Sequence, residues 1–190
     1  MKKLISFLIN NKSKLKISSK DIKKGDVFIA LPGGKTHGNF YIQDAFDRGA
    51  FYAVTDKTLK NSIMNENILK DKNIFDFLLK IAKQKRELFK GIVIGITGSV
   101  GKTSVKENLY YLLKNNFKVS ASIKSYNNYL GVLISLININ LKSHFAIFEI
   151  GTNNFNEIKK LTTLIKPSQA IITNIFPTHL EKLLSTRNIA

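Results

Sequence analysis

Gly95-Ile96-Thr97-Gly98-Ser99-Val100-Gly101-Lys102-Thr103-Ser104 stands between an apolar run, Ile92-Val93-Ile94, and a helix-like stretch from Val105 to Asn116. Strand, glycine loop and helix in that order are the context of a phosphate-binding loop. The glycines let the backbone curl so that successive N–H groups face one anion, and the helix N-terminus adds partial positive charge. Lys102 can reach outer phosphates, and the Thr103 hydroxyl can ligate a bridging Mg²⁺. The strict G-x-x-x-x-G-K-[ST] pattern is missed by one residue, because its first position falls on Ile96; the form present is T-G-S-x-G-K-T. The alternative is a glycine-rich turn with a chance Lys-Thr, which the flanking strand and helix disfavour.

Outward from the loop, elements alternate. Strands are predicted over Ile92–Thr97, Phe117–Ala121, Phe145–Ile150 and Gln169–Ile175, with helices over Lys102–Asn116, Tyr129–Asn138 and Asn156–Ile165. Such alternation implies a parallel sheet with helices on both faces, and ligands gather at the carboxyl ends of its strands. Before residue 88 a separate block reads as a small α/β unit. It has a buried strand over Asp26–Leu31, a helix over Phe40–Arg48 capped by Gly49, a strand over Phe51–Thr55 and a helix over Asn73–Phe89. The expected fold is therefore α/β: a small N-terminal α/β domain (1–88) followed by an incomplete P-loop parallel-sheet domain (89–190).

Composition narrows the function classes. At 190 residues, either one large or two small domains can bury a core. Cysteine is absent, which excludes disulfides and thiolate chemistry. No apolar run approaches the roughly 20 residues of a membrane span, so no integral membrane segment is expected. The opening Met1-Lys2-Lys3 with Leu4 to Ile9 mimics a signal peptide. The apolar part is short and Asn10-Asn11-Lys12 follows without a small-residue cleavage site, which favours a short amphipathic helix. The formal net charge of +17 invites a nucleic-acid reading. The basic residues are 27 Lys against 3 Arg and are spread along the chain. Base and phosphate recognition leans on Arg forks and aromatic platforms, so nucleic acid is not the expected partner.

Three further places can carry chemistry. Glu149 is the only acid in Phe145-Ala146-Ile147-Phe148-Glu149-Ile150. At the end of a central strand near a phosphate loop it suits a Mg²⁺ ligand. A buried or capping carboxylate is the alternative, and Gly151, which opens the edge, favours the metal role. His179 follows the last predicted strand on the same edge, where a metal or phosphate role competes with a structural one; His37 and His144 have no such context. Asn127 and Asn128 either offer directional hydrogen bonds to a peptide-like ligand or cap a helix.

Taken together, these segments resemble the Mur ligases. The resemblance rests on Thr97 to Glu107, Asn127-Asn128-Tyr129-Leu130-Gly131, Phe148-Glu149-Ile150-Gly151-Thr152-Asn153 with Asn156-Glu157-Ile158, Thr173-Asn174-Ile175 and His179-Leu180-Glu181. In the first block it rests on Ile17-Ser18-Ser19-Lys20, Lys24 to Ala30 and Gly38 to Ala50. Within the family it is strongest for the branch that adds a dipeptide; the branch adding the third amino acid is the alternative, as is a non-catalytic nucleotide or UDP-sugar binder. A small kinase or GTPase is a further reading, against which stands the lack of an N-K-x-D-like base motif.

The resemblance implies a cytoplasmic, monomeric, ATP-dependent acid–amino-acid ligase that uses Mg²⁺ and joins a UDP-MurNAc-peptide to D-Ala-D-Ala through an acyl phosphate. It implies that Gly98, Ser99, Val100, Gly101, Lys102, Thr103 and Ser104 hold ATP phosphates, that Thr103 and Glu149 bind Mg²⁺, and that His179 helps hold a second Mg²⁺. Lys102, Glu149 and His179 are the implied catalytic set. Ser19 and Lys20 stand where the family has Ser-Arg near the uridine nucleotide, and Tyr129 replaces a Glu in the Asn-Asn motif. Family members continue into a longer central domain, a lysine that becomes carbamylated and a third domain, so a truncated ligase is expected.

Overall fold

The computed structural model describes residues 2–10, 13–34, 36–57, 65–123, 126–152 and 154–177. His179 lies outside them, as do Ser125 and Asn153. The chain forms two compact units, Met1–Ile81 and Ala82–Ala190.

The first unit is built on a parallel sheet of four strands, β1 (Leu15–Lys16), β2 (Val27–Ala30), β3 (Tyr52–Thr55) and β4 (Ile68–Lys70), in the order β1-β2-β3-β4. Its helices are α1 (Lys2–Asn10), α2 (Ile42–Asp47) and the first half of α3 (Ile74–Leu88). All four residues of β2 are buried, as a central parallel strand covered on both faces must be. Phe28 and Ala30 pack with Ile42 and Ala45 of α2, Ala53 of β3, Ile22 and Ala50. Asp26, also buried, accepts the backbone N–H groups of Lys14 (2.9 Å) and Lys23 (3.1 Å), which ties the chain together below β2. Helix α2 ends as the sequence predicts. Gly49 takes φ +98°, its N–H bonds Phe46 O, and the Ala50 N–H bonds Ala45 O, the paired bonds of a left-handed glycine stop. Strands β1 and β4 have no counterpart in the predicted elements. One spans two residues, and the other is a three-residue apolar-to-Lys run after a polar stretch, too short for a period to register.

The second unit carries β5 (Ile92–Thr97), α4 (Lys102–Lys114), β6 (Val119–Ala121), α5 (Tyr129–Ile137), β7 (Phe145–Glu149), α6 (Glu157–Ile165) and β8 (Gln169–Ile172). All strands are parallel, in the order β6-β7-β5-β8. Every predicted helix and strand is present here, with ends trimmed by up to three residues. Alternation along the strands sorts the helices. Ile94 and Ile96 of β5 and Ile147 of β7 pack against Val105, Leu109 and Leu113 of α4. Gly95 faces the other way, where a Cβ would lie 3.5 Å from Ile165 at the end of α6. The inner strands β5 and β7 are thus covered on both faces, while β8 at the edge is largely exposed. Arg86 secures this layer: its guanidinium donates to Ile165 O and, at 2.8 Å, to Lys166 O, satisfying carbonyls that a helix C-terminus leaves open. Among the described residues no helix is long and apolar enough to cross a membrane.

Candidate nucleotide-phosphate site

Strand β5 runs out at Thr97, and the backbone turns through two left-handed glycines before α4 begins at Lys102. Gly98 has φ +134°. A Cβ there would overlap Thr173 Oγ1 and approach Asn174 O to 2.9 Å, so both the backbone angle and the space require glycine. Gly101 has φ +83° and caps α4 with no side chain, its carbonyl accepting the first helical bond from the Val105 N–H at 2.9 Å. With no capping side chain, the first N–H groups of α4 remain available to an anion.

A second segment braces the loop. Val100 N–H donates to Asn174 Oδ1 (2.9 Å), while Asn174 Nδ2 (3.0 Å) and Thr173 Oγ1 (2.6 Å) donate to Val100 O. Ser99 N–H donates to Asn174 O (3.1 Å), and the Ser99 hydroxyl bridges the backbone of Phe176, donating to its carbonyl and accepting its N–H. Six hydrogen bonds thus fix Ser99 and Val100 to the residues after β8. Lys102 folds over the loop, its ammonium donating to Gly98 O and, at 2.9 Å, to Ser99 O. Ser104 is exposed on the first turn of α4.

Glu149 ends β7 opposite Ile96 of β5, one residue short of the loop. It is 1% exposed. Thr103 Oγ1 donates to its Oε2 at 2.9 Å, and Asn127 Nδ2 donates to its Oε1 at 2.9 Å. Its backbone N–H donates to the buried Ser122 hydroxyl at 3.2 Å. Lys106, one turn beyond Thr103 on α4 and 0% exposed, places its ammonium 3.7 Å from Oε2. The Thr103 hydroxyl and the Glu149 carboxylate are two adjacent hard oxygen donors. That donor set fits Mg²⁺, which is held by one or two protein ligands and completed by phosphate oxygens. Among the described residues no three His, Asp or Glu side chains gather as a self-sufficient metal cage.

The two neighbouring asparagines separate. Asn127 turns to Glu149, and its carbonyl accepts the Gly151 N–H at 2.9 Å. Asn128 caps α5, its Oδ1 accepting the Gly131 N–H at 2.9 Å. In the first unit Ser19 is buried in a turn following β1, while Lys20 beside it is exposed. The Ser19 hydroxyl bonds Asp44 of α2, and with Arg48 it holds that carboxyl below its ordinary range. Residue-by-residue reading passed over Lys106, Ser122 and Asn174 as site residues. For Lys106 a signal existed. It shares the stripe Lys106, Leu109, Tyr110, Leu113, the i, i+3, i+4, i+7 spacing of a buried helix face.

A parallel sheet whose first strand feeds a G-S-V-G-K-T loop, with a carboxylate from the neighbouring strand at its root, defines a P-loop domain. Residues 96–190 match the Mur ligase middle domain, and the chain belongs to the Mur ligase family. It is 46% identical, over 95% of its length, to the UDP-N-acetylmuramoyl-tripeptide–D-alanyl-D-alanine ligase of Rickettsia prowazekii (strain Madrid E). It is 32% identical, over 88% of its length, to the protein of that name from Haemophilus influenzae (strain ATCC 51907 / DSM 11121 / KW20 / Rd). The chain spans 40% and 37% of those relatives. Among solved structures, the MurF ligase of Thermotoga maritima in complex with ADP superposes with a TM-score of 0.76 at 30% identity, over 96% of this chain and 42% of that one.

Proposed function

We propose that this chain carries the nucleotide-phosphate half of a D-Ala-D-Ala-adding ligase of peptidoglycan precursor synthesis, acting in the cytoplasm as a monomer. The observation that carries the reading is the meeting of Thr103 and Glu149 at the root of a glycine loop whose lysine, Lys102, starts the adjoining helix. The names of the relatives favour this acceptor over a single amino acid.

In the proposed reaction the carboxylate of UDP-MurNAc-tripeptide attacks the γ-phosphorus of ATP and ADP leaves. The D-Ala-D-Ala amine then attacks the acyl carbon, phosphate leaves and the amine loses a proton. The loop N–H groups and the α4 N-terminus hold the phosphates, and Lys102 swings from its loop carbonyls to the outer ones. Its fixed charge opposes the negative charge that builds there, so catalysis is mainly positioning and electrostatics. Thr103 and Glu149 would hold Mg²⁺, which when bound adds further charge neutralisation. The first unit is assigned to the UDP end of the substrate, with Lys20 as the exposed contact. Ser19 acts there by shaping the turn, because its hydroxyl is already bonded to Asp44. His179 is assigned to a second Mg²⁺ on the resemblance alone.

Calorimetric titration with ADP and Mg²⁺ tests the reading. Lys102→Ala should weaken binding about 10- to 100-fold, the worth of one charge-assisted contact. Unchanged affinity would overturn it.

A further inference from the structure

Lys106 is a buried cation that the proposed chemistry does not use. It lies on α4 one turn after Thr103, is 0% exposed, and its ammonium sits 3.7 Å from Glu149 Oε2 and 3.1 Å from Glu107 Oε1. The Glu107 side chain is 58% exposed, so water screens its charge; that of Glu149 is 1% exposed and is not screened. Oε2 is also the oxygen that Thr103 touches, the one that would face the cation. The proposed cation site therefore has one buried carboxylate already neutralised by a fixed positive charge.

We infer that Lys106 is a positioning residue that makes the divalent-cation site depend on the nucleotide. This rests on the reading of Glu149 as a cation ligand. Glu149 and Lys106 together present almost no net charge to a cation arriving alone, and the nearby ammonium repels it. Phosphate oxygens on the loop supply the missing negative charge, so the cation enters with the nucleotide. Thr103 and Asn127 keep the two carboxylate oxygens oriented, which leaves the charge of Lys106 as the element that sets this dependence. Burial of a lysine at this spot is otherwise costly, and an apolar residue would fill the helix stripe at least as well.

The test uses Mn²⁺ as a paramagnetic probe with the full 190-residue chain, bound and free ion being separated by electron paramagnetic resonance. In the wild type, Mn²⁺ without nucleotide should bind no tighter than it does to Glu149→Gln, and ADP should tighten it at least about tenfold. Lys106→Met and Lys106→Gln, the second retaining a polar donor in case the first does not fold, should gain nucleotide-free Mn²⁺ binding of about tenfold or more. Adding Glu149→Gln to either should abolish the gain. A wild type that binds Mn²⁺ alone through Glu149 as tightly as with ADP overturns the inference, as does a folded Lys106 variant with no gain. Absence of Mn²⁺ binding even with ADP overturns the reading of Glu149 itself, and the inference with it.

Discussion

The two sheets of this chain are both parallel and four-stranded, yet they end in different places chemically. In the first, strands follow each other across the sheet in chain order, β1-β2-β3-β4. In the second, the first strand, β5, is internal, with β7 on one side and β8 on the other. Connections leaving β5 and its neighbours therefore diverge, and in sheets of this kind ligands gather at the carboxyl ends where the order reverses. The phosphate loop, Glu149 and the Asn174 segment all meet there. The first sheet has no reversal. At the carboxyl ends of β2 and β3 its polar groups turn toward one another, although His37 Nε2 and Asp56 Oδ1 do not reach hydrogen-bond geometry. His37 Nε2 lies 3.0 Å from Asp56 Oδ1, His37 Nδ1 accepts the Asn39 N–H at 3.1 Å, and Thr55 Oγ1 donates to Asn39 Oδ1. The same architecture thus gathers the glycine loop, Glu149 and Asn174 at the carboxyl end of one sheet and the His37–Asp56 group at that of the other.

The largest effect that tests this division comes from the core of the first sheet. Phe28→Ala should cost about 3–5 kcal/mol of stability, as aromatic truncations in packed cores do. Below its lowered melting temperature, ADP affinity should stay within about twofold, since no phosphate contact lies there. A large loss of ADP binding in the folded variant would break the separation of roles. Gly98→Ala should act the opposite way. A left-handed angle and the overlap with Thr173 should cost about 1–3 kcal/mol and remove measurable ADP binding, because the loop can no longer curl. Calorimetry and a thermal melt read both quantities.

The adjacent asparagines give a finer test. Asn128→Ala should lower stability by about 1 kcal/mol through loss of the α5 cap and leave Mn²⁺·ADP binding nearly intact. Asn127→Ala should do the reverse, loosening Glu149 and weakening Mn²⁺·ADP several-fold by paramagnetic titration. Exchange of the two phenotypes would refute the assignment. The smallest effect concerns Asp44 in the first unit. Its hydrogen bond from Ser19 and its pairing with Arg48 lower its pKa from the usual 3.8. A carboxylate lowered on folding stabilises above its unfolded pKa, and that contribution disappears as pH falls through the folded value. Melts from about pH 5 down to about pH 2.5 should show a stability loss that begins near the ordinary aspartate range and is diminished in Asp44→Asn, while a Glu149→Gln background leaves this difference unchanged.

Much of the second unit was legible because its elements announce themselves locally. Ile92–Thr97 is an uninterrupted β run, Gly98 and Gly101 are placed where the backbone turns left-handed, and Ala170-Ile171-Ile172 is apolar between turn signals. Strands β1 and β4 were not legible, because two or three residues carry no period and exist only through pairing with β2 and β3. At the site, Lys102, Thr103 and Glu149 could be read from loop pattern and strand end. The brace from Asn174 could not, because it depends on β8 pairing with β5 some 75 residues away in the chain, as the Ser168-to-Val93 hydrogen bond shows.

By itself, the sequence determined the strand–loop–helix unit, the glycines its backbone angles demand, and the parallel character of the second sheet. These follow from residue-level sterics and from periods of two and 3.6 residues, which act over a few neighbours. Only the tertiary structure decided that β7 lies beside β5 with Glu149 opposite Ile96, that Asn127 rather than Asn128 turns to that carboxylate, and that Lys106 is buried against it. Those outcomes depend on strand order and register, which arise from pairing between distant segments and which no local period encodes.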